Sequence, residues 1–200
     1  MRLYLVRHGE TTDNYNRIHQ GHRNSPLTDL GQDQAKLVGE RLKHEKFDIA
    51  FSSDLDRTIH TASEILKFHP HLKLIKKREL REQGKGIYEG KPHGTMNKAI
   101  EKSGIIYHKF KPVGGESFNE IWDNMINFYN EIKVKYKSKN VLIIGHGGPI
   151  LCLITYLHNK GIEGCIKFIP IKNTSVTIVD IIDNNSPKFT ILNCTKHLEK

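Results

Sequence analysis

Two short runs constrain the fold of this chain more than any other feature: LYLV at 3–6 and NVLIIG at 140–145. Neither alternates apolar with polar residues, so a strand built from either needs apolar cover on both faces. Such strands belong inside a sheet with helices packed on each side. The sequence between them supplies those helices. Residues 24–45 offer Thr28 as N-cap, then Leu30, Ala35, Leu37, Val38 and Leu42 at roughly helical intervals. FDIAFSS (47–53) reads as a second strand, followed by a helix with Ile59, Ala62, Ile65 and Leu66 on one face and Ser53 or Asp54 as cap. LKLIKKREL (72–80) is a third strand or extended piece. GGES at 114–117 opens a long helix with a Ser117–Glu120 capping box. Its apolar stripe runs through Phe118, Ile121, Trp122, Met125, Tyr129 and Ile132, and Trp122 is assigned no function. A helix follows the 140–145 strand, and TSVTIVDII and KFTILNC close the chain as two strands joined by a DNNSP turn (183–187).

Strands alternating with helices predict an α/β fold. It is a three-layer αβα sandwich whose sheet is mostly parallel, with one antiparallel edge strand contributed by the final hairpin. No repeat, low-complexity tract or linker divides the 200 residues, so a single domain over 1–200 is expected. Residues 1–8 carry no h-region and no apolar run nears the roughly 20 residues of a membrane span, so an intracellular, cytoplasmic protein without membrane association is expected.

Ligands of such sheets bind in the crevice beyond the carboxyl ends of the strands. The first strand ends at Arg7-His8, the second at Ser52-Ser53 with Arg57 one helical turn on, the third near Glu82, and the late one at His146. Taken singly, each fits an ordinary turn or surface position; all five at one topological place do not fit accident. Two guanidinium forks match the oxygens of a phosphate dianion. One imidazole can act as a neutral nucleophile near pH 7 while the other donates to phosphoryl oxygens. The remaining carboxyl group can serve as general acid for a departing alcohol, and nothing in the set requires a metal or other cofactor.

These blocks resemble the histidine phosphatase superfamily, the phosphoglycerate mutase-like phosphatases. RHGET (7–11) is similar to its signature. Asn14, Gln20-Gly21, PLTDLGQDQA (26–35), SSDLDRTIHTA (52–62), LREQGKGIYEG (80–90), GGES and GHGG (145–148) follow in family order. The resemblance implies that His8 is phosphorylated on a ring nitrogen, and that Arg7, Arg57 and His146 cradle the phosphoryl group with help from Asn14 and the Gly147 backbone N–H. It also implies that Glu82 protonates the leaving oxygen and then activates water, and that Gln20 and Gly21 lie beside the substrate. Mutases of the family typically follow the catalytic Glu with Arg-His-Tyr-Gly and carry a longer insertion before the second histidine. Here Gln83-Gly84-Lys85-Gly86 follow, and the interval to His146 is short. The expected function is therefore hydrolysis of small phosphomonoesters of the sugar- or metabolite-phosphate class. Phosphoglycerate mutase activity is the alternative, and a non-catalytic phospho-ligand binder the third reading. LREQGKGIYEG looks most like the fructose-2,6-bisphosphatase-like and broad phosphatase branches.

The net charge of +9 fits an anionic substrate by steering, and the scattered lysines do not form a nucleic-acid stripe. Three widely spaced cysteines exclude a disulfide framework, and Cys152 reads as a small core residue. The loop histidines His19, His22, His93 and His108 read as surface decoration, and neither His19 with His22 nor His69 with His71 has closed-site zinc spacing. The expected partner is a small phosphorylated substrate, and the expected state a monomer or homodimer.

Overall fold

The computed structural model describes residues 1–167, 170–182 and 186–199. In chain order its strands are β1 (Arg2–Arg7), β2 (Ile49–Ser52), β3 (Leu74–Lys76), β4 (Asn140–Gly145), β5 (Val176–Asp180) and β6 (Lys188–Cys194). The helices are α1 (Thr12–Tyr15), α2 (Asp29–Leu42), α3 (Asp56–Leu66), α4 (Thr95–Ser103), α5 (Phe118–Lys135) and α6 (Gly147–Leu157). The strands form one sheet in the order β3-β2-β4-β1-β5-β6.

The two continuous apolar runs lie side by side at its centre. β1 pairs parallel with β4 in a register that sets Leu3 against Val141 and Arg7 against Gly145. Successive side chains point to opposite faces. Leu3, Leu5, Val141 and Ile143 pack with α5 and α6, whereas Tyr4, Val6, Leu142 and Ile144 pack with α2 and α3. Burial of both faces forms the three layers, as the patterning predicts. The final hairpin is antiparallel: β5 opposes both β1 and β6, so the reversed strand lies one place in from the edge and β6 is the outer strand. Of the DNNSP turn expected between them, residues 183–185 lie outside the described residues.

Several local expectations need correction. In α2, Thr28 caps Gly31 as expected, but Leu30 (56% exposed) and Leu37 (43% exposed) face outward. The buried stripe runs through Gly31, Gln34, Ala35, Val38 and Leu42, a 3.6-residue period that leaves both leucines off the inner face. In α3 the cap position is Leu55, with no side-chain cap bond, because Asp54 is committed to Arg81 by two hydrogen bonds of 2.6 and 2.7 Å. Its inner face is Arg57, Thr58, Thr61, Ala62 and Ile65, with Ile59 and Leu66 only half-buried. The segment 72–80 is a three-residue strand followed by a 3₁₀ turn, Arg78–Leu80, that delivers Glu82. α5 begins with the predicted Ser117–Glu120 capping box. No helix among the described residues is long and apolar enough to cross a membrane.

Candidate active site

The chain leaves β1 towards α2 on one face of the sheet and leaves β4 towards α6 on the other, so the two central strands diverge at their carboxyl ends. That divergence opens a crevice, and a cavity of about 690 Å³ occupies it. Arg7, His8, Asn14, Gln20, Gly21, Arg57 and Glu82 all line it. His146, the last residue before α6, is wholly buried with its ring centroid 5.2 Å from that of His8.

Each side chain is fixed by the local fold. The RHGET turn is held from both helices of one layer. Gly9 N–H donates to Thr61 Oγ1 (3.0 Å) and Glu10 N–H to Gln34 Oε1 (2.9 Å). His8 Nδ1 lies 2.7 Å from the Gly9 carbonyl, which can only accept, so Nδ1 carries the proton and Nε2 keeps its lone pair. Burial, and then the charges of Arg57 and Arg7, push the His8 pKa well below its usual range. The ring is therefore neutral near pH 7, as a nucleophile requires.

His146 takes the opposite tautomer. Arg57 Nε donates to His146 Nδ1 (3.2 Å), which leaves the proton on Nε2, a buried atom with no partner. Arg57 is itself 1% exposed and donates to the carbonyls of Arg23 (3.1 Å) and Gly21 (2.8 Å). Burial draws its pKa down to about 10, with Glu82 opposing, so it stays cationic at neutral pH. Arg7 donates to the Ile171 carbonyl (2.6 Å), and its Nε is likewise buried and unpartnered. The buried Arg57, the half-buried Arg7 with its buried Nε, and one orphaned imidazole N–H thus surround a space lined by a single carboxylate, Glu82. Buried cations in that ratio call for an anionic ligand.

Glu82 lies across the cavity at the amino end of α6. Its Oε2 accepts from Gly148 N–H (3.2 Å) and its Oε1 from Gln83 N–H (3.0 Å). Asn14 closes the capping box of α1, with Oδ1 accepting from Thr11 N–H (3.3 Å) and Asn173 Nδ2 (3.3 Å), so its amide N–H groups remain for a ligand. Gln20 is buried against Thr11 Oγ1. Gly21 takes φ +55°, a left-handed conformation in which a Cβ would strike the Lys85 backbone and Glu89. Gly147 is the first residue of α6, but Gly148 is the one that lines the cavity, and its N–H is committed to Glu82.

Three of the four loop histidines are not surface decoration: His108 is buried and His19 and His22 are half-buried, whereas His93 is exposed. His19, His93 and His108 line the cavity, and His22 is pinned between Glu82 and Glu116. They come from irregular segments whose burial carries no periodic signature. Beside them stands Lys85, whose ammonium donates to Gln83 Oε1 (2.5 Å). The lining also has an apolar part: Tyr107, Phe118, Leu151, Ile162 and Pro170. Sequence reasoning also misses the loop behind His8. Asn173 Nδ2 donates to the His8 carbonyl (3.0 Å), and Thr174 N–H donates to the carbonyl of Arg7 (3.1 Å). Only the polar cluster NTS at 173–175 hinted at a structured turn there. Among the described residues, no group of three or more His, Cys, Asp and Glu is placed to hold a metal ion.

The chain is 30% identical to phosphoglycerate mutase-like protein 4 of Arabidopsis thaliana over 204 residues, covering 99% of this chain and 87% of that one. It is 32% identical to a metal-independent phosphoserine phosphatase of the same plant, covering 90% and 76%. Among solved structures, the α-ribazole phosphatase of Shigella flexneri superposes with a TM-score of 0.85 at 27% identity, covering 97% and 96%. The model of the histidine phosphatase superfamily (branch 1) matches residues 3–195, and the chain belongs to that family.

Proposed function

We propose that this protein hydrolyses small phosphomonoesters in two steps through a phosphohistidine on His8, without a metal ion. The observation that carries the reading is the unmet donor set. Arg7 Nε and His146 Nε2 are buried with no partner, beside a neutral His8 whose Nε2 lone pair is free. A phosphoryl group seated there satisfies all three.

In the first step His8 Nε2 attacks phosphorus as the ester oxygen departs. Arg7, Arg57 and His146 hold the equatorial oxygens, where charge builds in the transition state. The two arginines supply the positive charge that a metal ion supplies elsewhere, and the neutral His146 adds a hydrogen bond. Glu82, in its protonated form, gives its proton to the leaving alkoxide, so an alcohol leaves. In the second step the Glu82 carboxylate takes a proton from water, the oxygen attacks phosphorus, the N–P bond breaks, and orthophosphate departs with His8 restored. The apolar part of the lining, with Lys85, His19 and His93, suits an organic body with polar substituents. Phosphoserine and α-ribazole phosphate, named for the two phosphatase relatives above, are first substrates to try.

The test is turnover of an aryl phosphate with orthophosphate release as readout, together with mapping of any ³²P-labelled residue under alkaline conditions after quenching at high pH, because an N–P bond survives base and not acid. The expected result is label on His8 and its complete loss in His8→Ala, with turnover abolished. Near-normal turnover in His8→Ala would overturn the reading. Isomerisation of phosphoglycerate without orthophosphate release would replace it with a mutase.

A further inference from the structure

Glu82 sits on irregular backbone between two 3₁₀ turns, Arg78–Leu80 and Gly86–Tyr88, in a stretch that contains Gly84. Its flanks are anchored, Arg81 to Asp54 by two hydrogen bonds and Gln83 Nε2 to the Glu116 carbonyl (2.7 Å). The Glu82 carbonyl itself is held by a turn from elsewhere. His22 Nε2 donates to the Glu82 carbonyl (2.8 Å) and lies 3.3 Å from Glu116 Oε2. Glu116 Oε2 also accepts from Gly84 N–H (2.8 Å). The His22 backbone N–H donates to Glu89 Oε1 (2.9 Å), which accepts from Lys85 N–H as well (3.0 Å). On its other side the same turn is gripped by Arg57 through the carbonyls of Gly21 and Arg23.

We propose that His22 is a positioning residue for Glu82, tying the peptide that carries the general acid to the turn held by the phosphate-binding Arg57. The inference rests on the phosphatase reading above. His22 does not line the cavity, so it acts through Glu82 and not on the substrate. Glu116 raises the His22 pKa, which keeps Nε2 protonated and donating. A one-ångström displacement of a catalytic group can cost about 10² in rate, and a general acid contributes roughly 10² to 10⁴. The loss on removing His22 therefore falls on esters that need the acid.

The experiment compares kcat/KM for alkyl and aryl phosphates in the unmodified protein, His22→Ala and His22→Gln. kcat/KM reports the first step, in which an aryl oxide leaves without a proton. In His22→Ala the alkyl value is expected to fall at least about tenfold further than the aryl value, with a steeper dependence on leaving-group basicity. In His22→Gln, whose amide N–H reaches the same carbonyl, most of the alkyl rate returns. Equal losses on both esters in His22→Ala, or no recovery in His22→Gln, would overturn the assignment. Should His22→Ala not fold, Glu116→Gln carries the comparison, because it removes the charge beside His22 while keeping an acceptor for Gly84 N–H. An alkyl-selective loss there supports the role and an even loss overturns it. Absence of label on His8 in the unmodified protein would defeat the phosphatase reading itself, and the role of His22 with it.

Discussion

The His8 imidazole is unusual for being buried between two guanidinium groups, and that placement has a sign. A free imidazole is half protonated at its ordinary value of 6.5, but here burial and both arginines disfavour the charged form. The folded protein therefore keeps this imidazole neutral in acid where an exposed histidine would be protonated. The acid limb of kcat/KM for an aryl phosphate is expected to lie well below pH 6.5. A limb at 6.5 or higher in the pH–rate profile would contradict the burial argument. Arg57 admits a second prediction at this scale. Arg57→Lys keeps the charge but loses the fork that binds His146, Gly21 and Arg23 together. A loss of about 10² to 10³ in kcat/KM is expected on aryl and alkyl esters alike, because the cradle serves both.

At the level of elements, the close approaches matter most. The amino end of α6 meets Glu82 at Gly148, where a methyl group would collide with Glu82 Oε1. Gly148→Ala should displace that carboxylate and lower alkyl phosphate turnover more than aryl, a comparison that kcat/KM for the two esters settles. The amino end of α2 meets the RHGET turn at Gly31, where a Cβ would strike the Glu10 carbonyl, a backbone atom that cannot swing aside. Gly31→Ala is expected to lower stability by roughly 1–3 kcal/mol, seen as a shifted denaturation midpoint. The elements themselves were largely legible. β1 and β4 announce themselves as unbroken apolar runs, and Thr28 and Ser117 cap the helices that they appear to cap in the sequence. α3 was harder because its inner face carries Arg57 and two threonines, so the hydrophobic period alone points to the wrong stripe. The cavity-facing residues of 84–116 were illegible for a different reason. His93, Tyr107 and His108 reach the cavity from turns, where burial follows the path of the loop and no spacing rule applies.

For the molecule as a whole, the unsatisfied cations predict linkage. An anion that binds the folded cradle and not the unfolded chain raises stability by about 2.7 kcal/mol at a hundredfold excess over its Kd. Orthophosphate or vanadate should therefore raise the thermal midpoint, and Arg57→Lys should blunt the rise. A midpoint indifferent to both anions would argue against the cradle. The net charge of +9 adds a kinetic expectation: kcat/KM for an anionic ester falls as ionic strength rises, because steering is screened. The order of the strands carries a last consequence. β1 precedes β4 and β5 in the chain, yet it lies between them in the sheet, and the His8 carbonyl is held by Asn173. During synthesis His8 thus waits, without these neighbours, until the chain has been made past Asn173. A nascent chain arrested before Asn173 should be catalytically silent, and the enzyme should switch on late and all at once.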